Sequence, residues 1–282
     1  MHLTVSLGYT FGIILILLRR LMSSKLLLIL CMVMSCHVQA TVVEVRTSLG
    51  NIQINLFDEV TPQNVDNFLG YVNAGAYQNN VVHRSVPGFI VQMGGFEYAN
   101  RFPPDAISTG AGVINEPKLS NVRGTIAMAK LSGDPDSATS QFFINLSNNA
   151  SNLDVQNSGF TVIGQVMGNG MEIADEIAAL SRFNYGGVFT DLPLRDFSAA
   201  DATNGVEPTD DNLVVISDVV VIDAAAVTNP DLVPVENTLI NASNQSSGTP
   251  SSSASGGASG GAMTLWGLLL IGVIGARRLR AG

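Results

Sequence analysis

The sequence predicts a mainly β domain, built as a closed antiparallel barrel or alternatively a sandwich, with two capping helices. Three observations favour this fold class. An alternating hairpin pattern follows residue 40, short β runs recur up to residue 222, and two segments show helical spacing. The region 41–225 has the size of an ordinary single domain and shows no internal repeat.

The hairpin is the first element. Apolar and polar residues alternate from Val43 to Thr47 and again from Ile52 to Leu56, which predicts two strands with one buried face. The intervening residues 49–51, with Gly50 at their centre, predict the turn that joins the strands.

Two helices are predicted from capping signals and spacing. Thr61 suits an N-cap, Pro62 suits the first helical position, and Gly75 can end the helix. Apolar positions 65, 68, 69 and 72 have the spacing of one helical face. The second helix is predicted from Gly170 to Leu180, because acidic residues lie in its first turns, where the helix dipole stabilises them.

The remaining β signals are short. They lie at Gly124–Met128, Gln141–Asn145, Thr161–Val166 and Leu213–Ile222. The stretch Arg182–Asp211 is rich in Gly, Asp and Ala, and we interpret it as a loop that could shape access to a substrate.

Composition excludes several functions. Both cysteines, Cys31 and Cys36, precede residue 41, which excludes a thiol nucleophile, a disulfide framework and a thiolate metal site from the domain. His83 is the sole histidine after residue 40, which excludes a histidine metal cluster. Between the chain ends, 8 Lys and Arg stand against 23 Asp and Glu, a net charge of −15 that argues against nucleic acid as a partner. We expect no metal and no cofactor.

Residues 1–40 are predicted to be a leader. From Met22 the chain has Lys25, an apolar run and a small-residue cleavage site ending at Ala40, the three zones of a secretory signal peptide. The simplest interpretation makes Met22 the true start. The alternatives are a longer leader and lipidation at Cys36. All three predict export, to the periplasm or the cell surface.

The C-terminal region is predicted to be a tether. Residues 226–261 are expected to form a flexible linker, since the periodicity fades from about Ala226 and Ser, Asn, Gly and Ala dominate from 241 onward. Residues 262–282 hold an apolar stretch and then three arginines. That stretch is shorter than the ~20 residues of a straight transmembrane helix. With the preceding glycine pairs it resembles bacterial Gly-Gly C-terminal sorting segments, which implies a short membrane anchor, either retained or cleaved.

Two segments hold the candidate active-site residues. Residues 82–95 read Val-His-Arg-Ser-Val-Pro-Gly-Phe-Ile-Val-Gln-Met-Gly-Gly, and residues 140–145 read Ser-Gln-Phe-Phe-Ile-Asn. One arginine, two glutamines and large apolar side chains suit a reaction without a nucleophile, a metal or a proton transfer. The two segments resemble, in the same order, the signature segments of the cyclophilin-type peptidyl-prolyl cis-trans isomerases.

The resemblance covers about residues 42–222 and implies a closed eight-stranded antiparallel barrel capped by two helices. It implies that Arg84 is the catalytic hydrogen-bond donor. The residues it implies for substrate binding are Phe89, Ile90, Gln92, Ala129, Lys130, Gln141, Phe143, Leu153 and Phe160. Among these, Phe143 would be the floor of the proline pocket and Leu153 would close it.

Arginine suits this reaction chemically. An X-Pro bond rotates slowly because amide resonance must be lost, a barrier of ~18–20 kcal/mol. Twisting leaves a lone pair on the imide nitrogen, to which the permanently charged Arg84 can donate as the bond twists. We interpret His83 as structural, since the reaction needs no proton transfer.

Four positions depart from the family's common pattern. Val82 replaces a phenylalanine, and Met93 lies between Gln92 and the glycine pair. Asn152 stands where many eukaryotic members have tryptophan, and Phe160 where they have histidine. The last two predict weak cyclosporin binding and suit a bacterial-type enzyme.

The predicted function is therefore a monomeric isomerase that acts on proline-containing unfolded or exported polypeptides and assists their folding. The first alternative is a module that binds proline-containing segments without turnover, which the presence of Arg84 and Phe143 disfavours. The second is a surface-displayed adhesin or structural protein, which leaves Arg84 and Gln92 without a role.

Overall fold

The computed structural model describes residues 41–224 and 232–240. The predicted leader 1–40, the predicted anchor 262–282 and most of the predicted linker 226–261 lie outside these residues. Within the described ranges, no helix has both the length and the apolar character needed to cross a membrane.

Most strands belong to one curled antiparallel sheet. In chain order the strands are β1 (Val42–Thr47), β2 (Gly50–Leu56), β3 (Asn80–Val81), β4 (Arg84–Val86), β5 (Ile90–Met93), β6 (Phe96–Glu97), β7 (Asp105–Ala106), β8 (Thr125–Met128), β9 (Phe142–Asn145), β10 (Val162–Val166), β11 (Ser181–Phe183), β12 (Leu192–Leu194) and β13 (Val215–Asp223). The main sheet has the order β4-β5-β9-β8-β10-β2-β1-β13-β3-β6-β7, and β11 and β12 form a second, two-stranded sheet.

Few helices accompany the sheet. The α-helices that lie wholly within the described residues are α1 (Pro62–Asn73), α2 (Ala150–Leu153), α3 (Gly170–Ala179) and α4 (Ala199–Thr203), and a 3-10 helix covers Gln156–Ser158. The two predicted helices are present as α1 and α3. The prediction of a mainly β protein with an antiparallel sheet and few helices is confirmed.

The sequence signals account for most boundaries. The predicted hairpin is present, with β1 and β2 paired from Val42 opposite Asn55 to Thr47 opposite Gly50. One detail of the first helix differs from expectation. Thr61 precedes α1 but its side chain does not cap the helix, because Thr61 Oγ1 donates to Val162 O at 3.0 Å and so ties the helix start to β10.

The inner core lies between the sheet and the two longer helices. From α1 it takes Val65, Phe68 and Val72, and from α3 it takes Ala174 and Ile177. The sheet contributes the inward-pointing residues of each strand, including Val91, Met93, Ile126, Met128, Phe142 and Ile144. The apolar stripe of each helix thus packs against the inward-pointing residues of the sheet.

The stretch predicted as a loop, Arg182–Asp211, contains regular structure. It holds β11, β12 and α4, and Ser198 and Asp201 form a capping box at the start of α4. A separate aromatic cluster anchors this stretch to β6, with Phe96 and Phe189 edge to face at 5.0 Å between centroids. Three-residue strands carry too little periodicity to be predicted.

Residues 232–240 lie within the predicted linker, yet they contact the domain. Leu119 and Glu236 form an antiparallel bridge, and the Asn237 side chain is buried. This part of the chain therefore differs from the flexible segment expected there.

Candidate active site

The candidate site is organised by one row of paired residues across four strands. Arg84 on β4 lies opposite Gln92 on β5, Gln92 lies opposite Phe143 on β9, and Phe143 lies opposite Ala127 on β8. Residues directly opposite each other in an antiparallel sheet share a face. The row therefore places the guanidinium, one glutamine and the predicted pocket floor side by side on the outer face.

The two-residue period of the strands extends this outer face. Ile90, Ala129 and Gln141 are each two residues from a member of the row, so they lie on the same face. The apolar residues here form what we call the pocket cluster. It consists of Phe57, Ile90, Leu119, Ala127, Ala129, Phe143, Leu153, Phe160 and Val162, with Val60, Phe89 and Leu232 partly buried against it.

Phe143 and Phe160 lie together in the pocket cluster. Their rings meet edge to face with centroids 5.8 Å apart, and both side chains are buried. Phe160 N donates to Leu153 O at 2.8 Å, so the end of α2 and the loop after it hold these side chains close to each other. All six apolar residues predicted for substrate binding are thus brought together, including Phe89, Ile90 and Ala129.

The side chain of Lys130 is bound to a neighbouring loop. Its Nζ donates to Asn157 O at 2.8 Å and to Gly159 O at 2.6 Å, and it lies 4.9 Å from the centre of the Phe160 ring. Burial lowers the pKa of Lys130 to about 8, against the opposing charges of Asp136 and Asp134. The ammonium therefore supports the wall of the pocket cluster rather than pointing to solvent.

Arg84 presents part of its guanidinium at the surface of the site. Its side chain is 20% exposed, and its Nε lies 3.6 Å from Asp191 Oδ2. Nη1 is buried and has no hydrogen-bond partner among the described residues. Burial lowers the pKa of Arg84, and the charge of Asp191 opposes this shift.

The two predicted glutamines form a pair beside Arg84. Gln92 Nε2 donates to Gln141 Oε1 at 3.0 Å, while Gln92 Oε1 is buried without a partner in the described chain. Gly95 makes room for this pair, because a β-carbon at that position would lie 2.6 Å from Gln141 Cδ. The pair is thus held in place with one amide oxygen left unpaired.

His83 is buried beside the site. Its ring packs edge to face on Phe96 with centroids 4.8 Å apart. Burial, followed by the charge of Arg84, lowers the pKa of His83 to about 3, so the imidazole is neutral at ordinary pH. In the described ranges no three His, Cys, Asp or Glu side chains are grouped as metal ligands, so His83 belongs to no such group there.

Two features of the site have no signal in the sequence. Asp191 reaches Arg84 from the β11–β12 hairpin, and Ser85 N donates to Asp191 O at 2.9 Å. A buried amide network also holds the main chain at Phe89, which packs against the pocket cluster. Asn149 Nδ2 donates to Asn145 Oδ1 at 2.7 Å and to Phe89 O at 2.9 Å. Single polar residues in loops follow no periodic pattern, so neither feature could be identified before the strands were paired.

Comparisons with known proteins find relatives of one family. The family model described as cyclophilin type peptidyl-prolyl cis-trans isomerase/CLD matches residues 42–197. A peptidyl-prolyl cis-trans isomerase of Acinetobacter baylyi is 42% identical over 159 residues, covering 55% of this chain and 81% of that protein.

Two further bacterial relatives match a similar share of the chain. Peptidyl-prolyl cis-trans isomerase A of Dickeya dadantii is 44% identical over 151 residues, 52% of this chain and 76% of that protein. Peptidyl-prolyl cis-trans isomerase B of Escherichia coli is 37% identical over 157 residues, 54% of this chain and 92% of that protein.

Proposed function

The chain belongs to the cyclophilin-type peptidyl-prolyl cis-trans isomerase family, and on this basis we propose that it accelerates rotation about X-Pro bonds at the Arg84 site. The enzyme is an isomerase, and its substrates are proline-containing polypeptides. The observation that carries the site assignment is the row formed by Arg84, Gln92 and Phe143, which sets a cationic donor beside an apolar pocket.

Arg84 supplies the donor. Nε is directed to Asp191, while the buried Nη1 has no partner among the described residues. An unpaired buried donor is unfavourable, and a substrate whose imide nitrogen becomes pyramidal offers the missing acceptor. Because that lone pair develops as the bond twists, the hydrogen bond stabilises the transition state more than the ground state and so raises the rate.

The pocket cluster supplies the site for the proline ring. Phe143 forms its floor, with Phe160 edge to face against it and Leu153 and Ile90 at its sides. Phe89, partly buried, lies at its rim. Apolar contacts hold the ring without forming hydrogen bonds to the peptide bond, so that bond stays free to rotate.

The glutamine pair holds the peptide on the other side of the bond. Gln92 Oε1 is buried and unpaired in the described residues, so it can accept a hydrogen bond from a substrate N–H. We assign the main chain of Ala129 and Lys130, just beyond β8, to contacts with the substrate backbone. Ala129 N already donates to Gln141 O at 2.9 Å, so the Ala129 carbonyl and the main chain of Lys130 are the groups assigned to this task.

We extend the fold assignment to a closed eight-stranded barrel. Two residues, Val82 and His83, separate β3 from β4, so residues 80–86 can be treated as one bent strand. Its first part pairs with β13 and its second part with β5. Val82 N donates to Val214 O at 3.0 Å and His83 N to Gln92 O at 3.2 Å. Counted as one, this strand would join the two ends of the order β5-β9-β8-β10-β2-β1-β13.

The cellular setting is proposed from the ends of the sequence. The secretory-type zones before residue 41 support an exported enzyme that assists folding outside the cytoplasm. The Gly-Gly, apolar and arginine-rich end supports a membrane anchor of the sorting type. The net charge of −15 between the chain ends supports a monomer, because like-charged surfaces repel one another.

A protease-coupled isomerisation assay on the full chain, with a proline-containing tetrapeptide, tests this function. Arg84→Ala should lower kcat/KM by ~10²–10³, the usual effect of removing one transition-state donor. The unfolding free energy should change by less than about 1 kcal/mol, because the Asp191 pair is partly exposed. Arg123→Ala removes an exposed arginine that pairs with Asp175, and it should keep full activity.

Two outcomes would contradict the proposal at different levels. A wild-type chain that binds the peptide without turning it over would favour the non-catalytic binding module. An Arg84→Ala variant as active as the wild type would be compatible with the isomerase activity but would show that another residue is the hydrogen-bond donor.

A further inference from the structure

The segment 232–240, which we call the strap, lies along residues 118–120. Ser120 N donates to Val235 O at 2.8 Å, and Asn237 N donates to Lys118 O at 2.9 Å. These bonds flank the bridge between Leu119 and Glu236. The strap follows β13 in the chain and lies beyond the residues 42–197 that match the family model.

Asn237 anchors the strap by its side chain. It is 6% exposed, whereas the neighbouring Val235 is 53% exposed. Asn237 Nδ2 donates to Asp154 O at 2.9 Å, and its Oδ1 accepts from Leu239 N at 3.0 Å and Ile240 N at 3.1 Å. Burial of an amide is unfavourable unless its hydrogen bonds are made, so this pattern fixes one position of the strap on the domain.

Asp154 connects the strap to the pocket cluster. It follows Leu153 directly, and its buried carboxylate accepts from Ser120 Oγ at 2.6 Å and from Asn121 N at 2.7 Å. Asn121 Nδ2 in turn donates to the same carboxylate at 3.0 Å and to Phe160 O at 3.1 Å. The main chain at both Leu153 and Phe160 is therefore joined to the residues that hold the strap.

Apolar contacts lead to the same place. Leu232, at the start of the strap, packs against the pocket cluster, and Leu119, which pairs with the strap, is a member of that cluster. The helix that carries Leu153 has four residues, and the 3-10 helix that follows has three. Elements this short are not stable by themselves, so their position depends on such outside contacts.

We infer that the strap belongs to the catalytic domain and that Asn237 is a positioning residue for the proline pocket. By holding Asp154 it keeps Leu153 and Phe160 at the spacing that a proline ring requires. This inference rests on the proposed function of the pocket. It predicts that the strap affects the binding of substrate rather than the rate of rotation, because Arg84 lies on β4, two strands away from Phe143 in the row.

The test compares Asn237→Asp and Asn237→Ala with the wild type in the full chain. Asn237→Asp keeps an oxygen for Leu239 and Ile240 but removes the donor to Asp154 O. Both variants lose the bond to Asp154 O. The KM for a proline-containing tetrapeptide should rise roughly fivefold to tenfold in each, if substrate binding has to compensate the free energy of that one hydrogen bond. The kcat should stay within about twofold of the wild type. Asn204→Asp makes the same change at an exposed position and should alter neither constant.

A purely stabilising strap would behave differently. It would lower the melting temperature of both variants and leave KM unchanged for the folded molecules, and that result would overturn the inference. Peptide affinity is measured in parallel by NMR titration, which does not require turnover. A wild-type chain without turnover contradicts the proposed function, while equal peptide affinity in wild type and both variants contradicts the role of Asn237.

Discussion

The inner and outer faces of strands β5, β8 and β9 are built from alternating residues of the same short segments. Val91, Ile126, Met128, Phe142 and Ile144 point to the inner core. Their immediate neighbours point outward, and they include Ile90, Gln92, Ala127, Ala129 and Phe143. The inner set is entirely apolar, whereas the outer set combines an apolar pocket with a glutamine and the adjacent arginine.

Within a single strand, the residues of the inner face would therefore serve stability and those of the outer face would serve catalysis. On the outer face, Arg84 Nη1 and Gln92 Oε1 are buried without partners in the described residues. This is unfavourable for folding, but it suits groups that are proposed to form hydrogen bonds with a substrate. On the inner face every contact serves packing. A substitution on the inner face should therefore affect stability, and one on the outer face should affect substrate binding or rate as well.

The strongest test of this comparison is the pair Phe142 and Phe143. Each is fully buried and each is in β9, but they belong to different faces. Replacing either with alanine should lower the unfolding free energy by ~3–5 kcal/mol, measured by urea unfolding. Only Phe143→Ala should also raise the KM for a proline-containing peptide, because Phe143 is the proposed floor of the proline pocket.

Both phenylalanine variants should be assayed in conditions where each is folded. Equal increases in KM for Phe142→Ala and Phe143→Ala would show that the two faces are not functionally distinct. An unchanged KM in Phe143→Ala would place the proline ring elsewhere.

The glycines 94 and 95 provide a weaker version of the same test. Gly94 has φ +87°, and a β-carbon there would lie 2.7 Å from Ser140 O and 3.0 Å from Phe142. Gly94→Ala should therefore destabilise the protein by ~1–3 kcal/mol through backbone strain. Gly95 has no such φ, and its β-carbon would meet the movable Gln141 side chain at 2.6 Å.

Gly95→Ala should accordingly displace Gln141 and break its hydrogen bond with Gln92. We expect kcat/KM to fall about fivefold, in line with one ordinary hydrogen bond, with little change in stability. Thermal unfolding and the isomerisation assay measure the two effects. A Gly95→Ala variant that loses stability as Gly94→Ala does, while keeping its activity, would contradict the assigned role of Gln141.

Local sequence patterns predicted the elements better than their arrangement. The alternation in β1 and β2 and the spacing in α1 each lie within about a dozen residues, so a single chain displays them. The row from Arg84 to Ala127 depends on the pairing of strands that are far apart in sequence, such as β5 and β9. No local pattern predicts which residues of such strands lie opposite each other. The family resemblance predicts these residues as site residues because its motifs are specific, not because their contacts could be calculated.

Single polar residues mark the limit of prediction from sequence. The roles proposed for Asp191 and Asn237 depend on their contacts with Arg84 and with Asp154. Asn237 lies within residues 226–261, which are predicted to be a flexible linker. Its contacts are with main-chain carbonyl groups of folded loops. Every residue has such a carbonyl group, so the sequence does not indicate which of them Asn237 will bind.

The smallest expected effect concerns His83, which precedes Arg84 yet turns to Phe96. Its pKa of about 3 is below the ordinary value of 6.5, so the imidazole stays neutral near pH 7. His83→Gln should keep kcat/KM within about threefold, less than one ordinary hydrogen bond would change it. The pH profile between pH 6 and 7, below the pKa of about 8 of Lys130, should be flat for both proteins. Activity that titrates in the wild type but not in His83→Gln would make this histidine part of the chemistry.

The burial of His83 should be detectable in the pH dependence of stability, although it should not affect the pH dependence of activity. Between about pH 6.5 and 3 the unfolded chain binds a proton at His83 that the folded chain excludes, so the wild type loses stability as the pH falls through this range. The contribution is at most about 1.4 kcal/mol per pH unit, the limit for one proton. Carboxylates also titrate here, so the informative quantity is the difference between the two proteins in urea unfolding at each pH. His83→Gln should show the shallower loss; equal slopes would mean that His83 is protonated in the folded protein and is not enclosed as the structure has it.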